Sequence, residues 1–311
     1  MRDLPIKLQL PSEFLKPEVR NGYDISEKLK KIWSVELDLL IELLRVCKKH
    51  DIKCSLAFGS LIGTVRHKGF IPWDDDLDVM FERDEYKKLL AVGPREFKHP
   101  YFFQYALSDR KKFSPLARLR NSLTTGYVTG DPTEGYNNGI YLDLYAFDAN
   151  PQRRAFYLWK HFLKRVVGKC MNFYYDDQPR DRSIAERIKR LARPLVRMVS
   201  YETWWRVYSR VMAMYNRSEP RRSHMLTAQV GGRKDWINKE DMSDIVWLPY
   251  EFMDVPVVRK YHELLSRAYG DYMQFPPATE RGKWHEGIIH FEPEIPYKEY
   301  LRMMDEKRGD A

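Results

Sequence analysis

Cysteine is scarce in this chain: Cys47, Cys54 and Cys170 are the three present in 311 residues. They form neither an even set nor a metal-spaced motif. That excludes a disulfide framework and points to a reducing cytoplasm. Long hydrophobic runs are missing as well. No stretch of eighteen apolar residues occurs, so no membrane-spanning helix is expected. The opening segment, MRDLPIKLQLPSEF, has no apolar core of signal-peptide length. Internal repeats and low-complexity tracts are absent, which excludes solenoids and repeat arrays. His285 and His290 are five apart with Glu286 between them, which is not metalloprotease spacing, and we expect no zinc there. No RNA-binding signature appears, and nucleic acid is not an expected partner.

Aromatic residues and positive charge, by contrast, are plentiful. Aromatics make up 14% of the chain and the net charge is +9, which suggests an anionic partner. The charge is uneven. Residues 151–217 hold 16 Lys or Arg against 5 Asp or Glu, a net of +11, so the remainder is nearly balanced. A basic amphipathic helix is expected over 153–167, with Phe156, Trp159, Phe162 and Val166 along one side. Trp204, Trp205 and Tyr208 follow, beside Arg206 and Arg210. Aromatic and basic residues together suit peripheral contact with an anionic membrane or a lipid-linked glycan. They also suit ordinary helix packing, the reading preferred on sequence.

Residues 57–78 read AFGSLIGTVRHKGFIPWDDDLD. An apolar run over 54–58 is consistent with a buried strand, broken by Gly59 and Ser60 before one or two helical turns over 61–65. A strand feeding a helix start through Gly-Ser points free backbone amides at the gap, a place for phosphate oxygens. Gly59 lets the backbone come close, and Ser60 adds a hydroxyl donor or an N-cap. Alone, these residues also describe an ordinary Ser-capped helix. Further on, Asp76-Leu77-Asp78-Val79-Met80 alternates acid with apolar. Strand residues two apart share a face, so Asp76 and Asp78 point one way and Leu77 and Val79 into the core. Neighbouring carboxylates are costly to bury unpaired, and a hard divalent cation such as Mg²⁺ removes that cost. Pro72 favours an extended approach or a turn around Asp74. A polar turn with solvated acids is the alternative. A third acid, Asp143, sits mid-way along the apolar run GIYLDLY at 139–145. It needs a partner, either one of the arginines or, as we prefer, Asp76 and Asp78 across adjacent strands.

The remaining pattern predicts an arm over residues 1–24, with Pro5, Pro11 and Pro17. A long helix capped by Ser26 runs to about His50, with Leu29, Ile32, Trp33, Leu37, Leu40, Leu44 and Cys47 at helical spacing. Asp84 is expected to cap a helix over 85–91. Strands are expected over 101–105, 116–120 and 124–129, the last two joined by a turn near Asn121. Arg118 and Arg120 share a strand face and suit a diphosphate, or a salt-bridged edge. Arg66 and His67 are further phosphate candidates. Residues 174–181 read as a loop, Ser183 as a helix cap and Pro194 as a start or kink. Residues 224–230 and 236–246 read as irregular, 250–258 as strand-like, and 261–269 as a helix ended by Gly270.

A Gly-Ser turn, a strand with Asp-apolar-Asp and a later strand with one Asp resemble the nucleotidyltransferase superfamily. The chain is more closely similar to the LicD/fukutin-type phosphotransferase family. Three blocks carry this: GSLIGTVRHKGFIPWDDDLDVMFERDEYKKL, GIYLDLYAFD, and YGDYMQFPP at 269–277. In the second, the family more often has Ile-Asp-Ile-Phe-Pro. The matched blocks are spread over about residues 25–285. The resemblance implies an α+β fold with a nucleotidyltransferase-like mixed β-sheet flanked by helices over 1–150. A basic helical insertion would occupy 151–220, and 221–311 would complete the active site. It also implies Mg²⁺-dependent transfer, with Mn²⁺ as the alternative, of phosphocholine from CDP-choline to a sugar hydroxyl, releasing CMP. CDP-linked ribitol, glycerol or ethanolamine are alternative donors. The acceptor would be a cell-surface glycan, such as teichoic acid or lipopolysaccharide, or its lipid-linked precursor, met in the cytoplasm or at the inner membrane face. Asp76, Asp78 and Asp143 would hold the metal and act in catalysis. Gly59, Ser60, Arg66, His67, Arg118 and Arg120 would hold the donor's phosphates. Trp73, Tyr141, Tyr145 and Tyr272 are aromatic candidates for the choline. Two other classes compete. An NTP-using nucleotidyltransferase would share these features and release pyrophosphate. A non-catalytic nucleic-acid or membrane-binding protein would rely on 151–217 alone.

Overall fold

The structure, a computed structural model, describes residues 3–151, 153–175, 184–217, 224–226, 236–282 and 287–309. A hairpin of β1 (Glu18–Arg20) and β2 (Tyr23–Ile25) precedes α1 (Glu27–Lys49). Then come β3 (Ser55–Leu56), α2 (Phe58–His67), β4 (Asp78–Glu82), α3 (Arg83–Glu96), β5 (Tyr101–Gln104), β6 (Ala117–Asn121), β7 (Thr125–Val128) and β8 (Ile140–Ala149). The helices α4 (Arg154–Tyr175), α5 (Ile184–Arg197) and α6 (Tyr201–Ala213) follow. The C-terminal part holds β9 (His224–Leu226), β10 (Trp236–Ile237), α7 (Lys239–Ser243), β11 (Ile245–Tyr250), β12 (Met253–Val258), α8 (Tyr261–Tyr269), β13 (Ile289–Glu292) and α9 (Tyr297–Gly309).

The fold is α+β, built on a mixed sheet whose spine is β8. Along one edge of β8 runs β4, parallel, with β3 antiparallel beyond it. Along the other edge β6 covers Ile140 to Leu144 and continues to β5, while β9 covers Phe147 to Ala149 and continues to β10. Period-two alternation explains the two faces of β8. Leu142 and Leu144 are fully buried on one side, whereas Tyr141, Asp143 and Tyr145 share the other.

Ser26 caps α1 as expected, its side chain accepting from the Leu29 N–H at 3.2 Å. Trp33 of α1 is wholly buried, stacks on Phe70 with ring centroids 4.6 Å apart, and donates its indole N–H to the Asp74 carbonyl at 2.9 Å. The main core unites residues on both sides of the helical stretch, from Phe14 through Phe147 and from Ile237 through Tyr272. A second cluster forms where Val167 and Met171 of α4 meet Tyr201, Trp205, Tyr208 and Met212 of α6, against Ala106.

Several expectations are corrected. Glu82, not Asp84, caps α3, because its carboxylate accepts the Asp84 N–H at 2.7 Å. Residues 224–226 and 236–237 are strands that extend the sheet, and 239–243 form a short helix. The strands expected over 116–120 and 124–129 are present as β6 and β7 with a turn after Asn121, and β7 pairs with β13. α4 runs through Tyr174 to Tyr175, and Pro194 lies inside α5. Ser183 falls outside the described residues. The packing expected for Phe156, Trp159, Phe162 and Val166 is overturned: all four are exposed, because α4 buries the face that carries Lys160, Val167 and Met171. Among the described residues no helix is long and apolar enough to cross a membrane.

The end of β8 meets α3 and α4 through a buried polar seam. Arg83 Nε donates to Asp148 Oδ1 at 2.7 Å, and a second guanidinium nitrogen pairs with Asp148 Oδ2. Asn216 donates to the same carboxylate at 3.0 Å, and Lys160 Nζ donates to the Ala149 carbonyl at 2.7 Å. Burial lowers Lys160 to about 8, although Asp148 pulls the other way. Removing one partner of a buried ion pair leaves the rest without a counter-charge. Asp148→Asn is therefore expected to cost about 3–5 kcal/mol of stability, read from urea unfolding; a loss below about 1 kcal/mol would contradict this account.

Candidate active site

The site is assembled where α2, the start of β4 and the middle of β8 meet. The chain turns from β3 into α2 through Phe58, whose φ of 47° is unusual for an aromatic residue. The Ala57 N–H donates to the Asp78 carbonyl at 2.9 Å, fastening this turn to β4. Gly59 and Ser60 lie within the first turn of α2, and Ala57 occupies the cap position without a side-chain bond. Ser60 is therefore not the cap. Its Oγ accepts the backbone N–H of Asp78 at 2.8 Å, which fixes where β4 begins. A Cβ at Gly59 would sit 2.8 Å from Asp74 Oδ2, so glycine makes room for a carboxylate beside the helix N-terminus.

Strand pairing lines up one row of side chains. Asp78 on β4 is opposite Asp143 on β8, and Asp143 is opposite Arg118 on β6. Both partners weighed for Asp143 are thus present. Arg118 Nε donates to Asp143 Oδ1 at 2.7 Å, and its guanidinium lies 4.0 Å from the Tyr141 ring centroid. Burial works against the charge on Arg118, but Asp143, together with Tyr141 and Tyr136, holds the guanidinium above its ordinary value. Asp76 lies in the approach to β4 rather than in the strand, which starts at Asp78. Leu77 and Val79 are fully buried, as the alternation requires.

The acids crowd one another. Burial, then the charges of Asp76, Asp143 and Asp74, raise Asp78 well above the usual carboxylate range, while a hydrogen bond from Tyr145 acts in the opposite sense. Burial, Asp76 and Asp75 raise Asp74 in the same way. A sixth carboxyl is coupled to them, and sequence reasoning missed it. Glu36 of α1 is 1% exposed. It is raised by burial and then by Asp76, Asp75, Asp74 and Asp78. Its signal was an acid inside an apolar helical stretch, VELDLL, hidden by the helix's regular periodicity. Glu36 Oε2, Asp78 Oδ1 and the Tyr250 hydroxyl are buried without hydrogen-bond partners.

These oxygens suit a hard divalent cation in kind, and the orphaned Asp78 Oδ1 is an oxygen that such an ion would satisfy. Among the described residues, however, no three His, Cys, Asp or Glu side chains form a ready metal cage. Asp143 is engaged by Arg118. Asp76 and Asp78 are accordingly the residues that would hold the ion first, with Asp143 joining by exchanging its arginine.

The expected phosphate residues separate. Arg120 is fully buried, with Nε bonded to Gln104 Oε1 and Nη1 to the Gly139 carbonyl, both at 2.6 Å. It ties β5 to Gly139, just before β8, while its Nη2 is buried without a hydrogen-bond partner. Arg66 Nη1 donates to the carbonyls of Tyr272 and Gln274 at 2.7 and 2.9 Å, pinning the C-terminal block onto α2. His67 accepts from Arg66 Nε at 2.9 Å and meets Asn21 Oδ1 at 3.1 Å, so both ring nitrogens are engaged. Burial, then Arg66 and Arg20, lower it to about 4. It is neutral at pH 7 and is not a cation for phosphate.

The four aromatic candidates do not form one box. Tyr141 lies under Arg118 and Arg120. Tyr145 stands beside Asp78, with Phe58 edge-on at 5.0 Å. Trp73 joins Phe275 at 5.9 Å between the guanidiniums of Arg66 and Arg281. The Tyr272 hydroxyl meets His262 Nδ1 at 2.8 Å. His285 and Trp284 fall outside the described residues.

The site thus consists of a mixed sheet carrying Asp78 and Asp143 on neighbouring parallel strands, beside the first turn of α2 with Gly59 and Ser60. Residues 51–166 match the family described as LicD/FKTN/FKRP, nucleotidyltransferase domain. Over 259 residues it is 26% identical to the lipopolysaccharide cholinephosphotransferase LicD of Haemophilus influenzae, covering 80% of this chain and 92% of that protein. Uncharacterised proteins of Rickettsia prowazekii and Rickettsia typhi are 37% and 44% identical over 57 residues, 18% of this chain in each case.

The crowding has a measurable sign. Below the ordinary carboxylate value, near 4, Asp78 is protonated whether the chain is folded or not, and it costs nothing. As pH rises past that value the unfolded chain ionises it freely while the folded chain resists, so folded stability falls. Asp78→Asn is expected to melt at a higher temperature than the wild type at pH 7 in chelator-treated buffer, with the difference shrinking toward pH 4. An equal or lower melting temperature at pH 7 would refute the crowding.

Proposed function

We propose that this protein transfers phosphocholine from CDP-choline to a sugar hydroxyl of a cell-surface glycan or its lipid-linked precursor, with release of CMP. The observation that carries the reading is the Asp78–Asp143 pair on adjacent parallel strands, beside Gly59 and Ser60 and crowded by Asp74 and Asp76. Its kinship supports the choice of group. The Haemophilus relative's name states cholinephosphotransfer to lipopolysaccharide, and the match covers most of both chains.

In this reading the sugar hydroxyl attacks the phosphorus of the phosphocholine half, and the bond to the CMP oxygen breaks. Mg²⁺, or Mn²⁺ in its place, bound at Asp76 and Asp78 would supply charge neutralisation for the diphosphate. The residues of the chain do the rest. Ser60 holds Asp78 at the head of β4, and the first-turn amides of α2 offer donors to the donor's phosphate oxygens. Arg118 sets the orientation of Asp143, which accepts the proton of the attacking hydroxyl. Arg118 is also the guanidinium at hand for a phosphate oxygen when Asp143 turns toward the ion. Tyr145 and Phe58 present aromatic surface next to Asp78, and a quaternary ammonium is held by such faces without hydrogen bonds. Positioning and charge compensation supply most of the rate gain in phosphoryl-group transfer.

The test is incubation with CDP-choline, CDP-ribitol, CDP-glycerol, CDP-ethanolamine and CTP, with Mg²⁺ and glycan acceptors. CMP release from CDP-choline is expected, and it should stop on chelation. Asp76→Asn and Asp78→Asn are each expected to fold and to lose at least about 10²–10³-fold in turnover. Pyrophosphate release from CTP would replace this reading with nucleotidyl transfer, and CMP release only from another CDP-alcohol would replace the choline.

A further inference from the structure

We propose that the outer face of α4 docks on the surface of an anionic lipid bilayer. The helix has two apolar sides. One is buried against α6 through Val167 and Met171. The other carries Phe156, Leu158, Trp159, Phe162 and Val166, which are 46%, 55%, 51%, 55% and 41% exposed. At 3.6 residues per turn Leu158, Trp159, Phe162 and Val166 fall on one side of the cylinder, away from Lys160, Val167 and Met171, and Phe156 lies at the border of the buried face. Trp159 and Phe162 stack on each other at 5.7 Å in the open rather than turning inward. Large apolar side chains scattered singly over a surface are ordinary, whereas four on one helix face with a fifth at its edge mark an interaction site.

Charge selects the occupant. α4 contains no Asp or Glu in its 22 residues. Arg154, Arg165 and Lys169 are exposed and border the apolar face. Leu191, Leu195 and Met198 on and just beyond α5 are 77%, 68% and 81% exposed, with Arg197 among them. The whole stretch 151–217 carries a net of +11. A second copy of the chain would bring the same positive charge against itself. Tryptophan and phenylalanine set between arginines and lysines match the boundary between acyl chains and anionic headgroups. Since no described helix is long and apolar enough to cross a membrane, α4 lies along the surface.

The test is sedimentation of the full chain with phosphatidylcholine vesicles with and without phosphatidylglycerol. It is read independently of any transfer activity. Binding is expected only to the phosphatidylglycerol vesicles and should weaken as salt is raised. The double variant Trp159→Ser/Phe162→Ser is expected to lose at least about tenfold in binding while keeping the wild-type melting temperature. Arg154→Gln/Arg165→Gln/Lys169→Gln is expected to shift the salt dependence downward. The proposal is overturned if neither vesicle is bound, or if the apolar double variant binds like the wild type. It is equally overturned if the wild type is a dimer in solution that the double variant dissociates, which would make this face a contact between copies.

Discussion

Mutual repulsion among carboxylates in a poorly solvated place is the constraint around which this molecule is built. Asp74, Asp76 and Asp78 act on Glu36 and Asp143 acts on Asp78, and the nearest structure is devoted to keeping them there. Gly59 yields the space next to Asp74, Ser60 grips the Asp78 amide, and the Trp33 indole holds the Asp74 carbonyl. Such an arrangement is unfavourable for the fold alone, and proteins tolerate it where function requires it. Arg118 is a guanidinium aligned with the row by strand register, and it makes the site an electrostatic compromise: two acids opposite each other, one of them already compensated.

Much of this was legible in the sequence, for definite reasons. A lone acid in an apolar strand demands a partner, and Asp143 has two. The Asp-Leu-Asp-Val pattern gave the right inward residues, yet Asp76 lies before the strand, because pairing with β3 and β8 begins only at Leu77 and Asp78. The Gly-Ser pair was located correctly but serves differently. Its glycine accommodates a side chain and its serine joins α2 to β4, jobs that depend on residues well removed along the chain. Arg118 and Arg120 share a face as their spacing demanded, but spacing says nothing about depth. Arg120 lies behind Tyr136 and Tyr141 and is consumed by Gln104 and Gly139. Glu36 was invisible because helical periodicity explains burial without naming what the buried acid will face.

The helical stretch shows how one pattern can serve two surfaces. Aromatic residues at helical spacing in α4 read as core, and part of the helix is core. The buried side, however, is the one carrying Lys160, Val167 and Met171, with Lys160 drawn in by the Ala149 carbonyl and the charge of Asp148. A lysine placed inward and a tryptophan placed outward reverse the usual expectation. The polar seam at the end of β8 is what turns the helix over.

The division of one edge of β8 between β6 and β9 has a consequence for biosynthesis. β6 is made before β8 and can pair with its first half at once. The last three residues of β8 find their partner only after α4, α5 and α6 have been translated. Until His224 to Leu226 emerge from the ribosome, the backbone of Phe147 to Ala149 is an open strand margin, able to recruit a foreign strand.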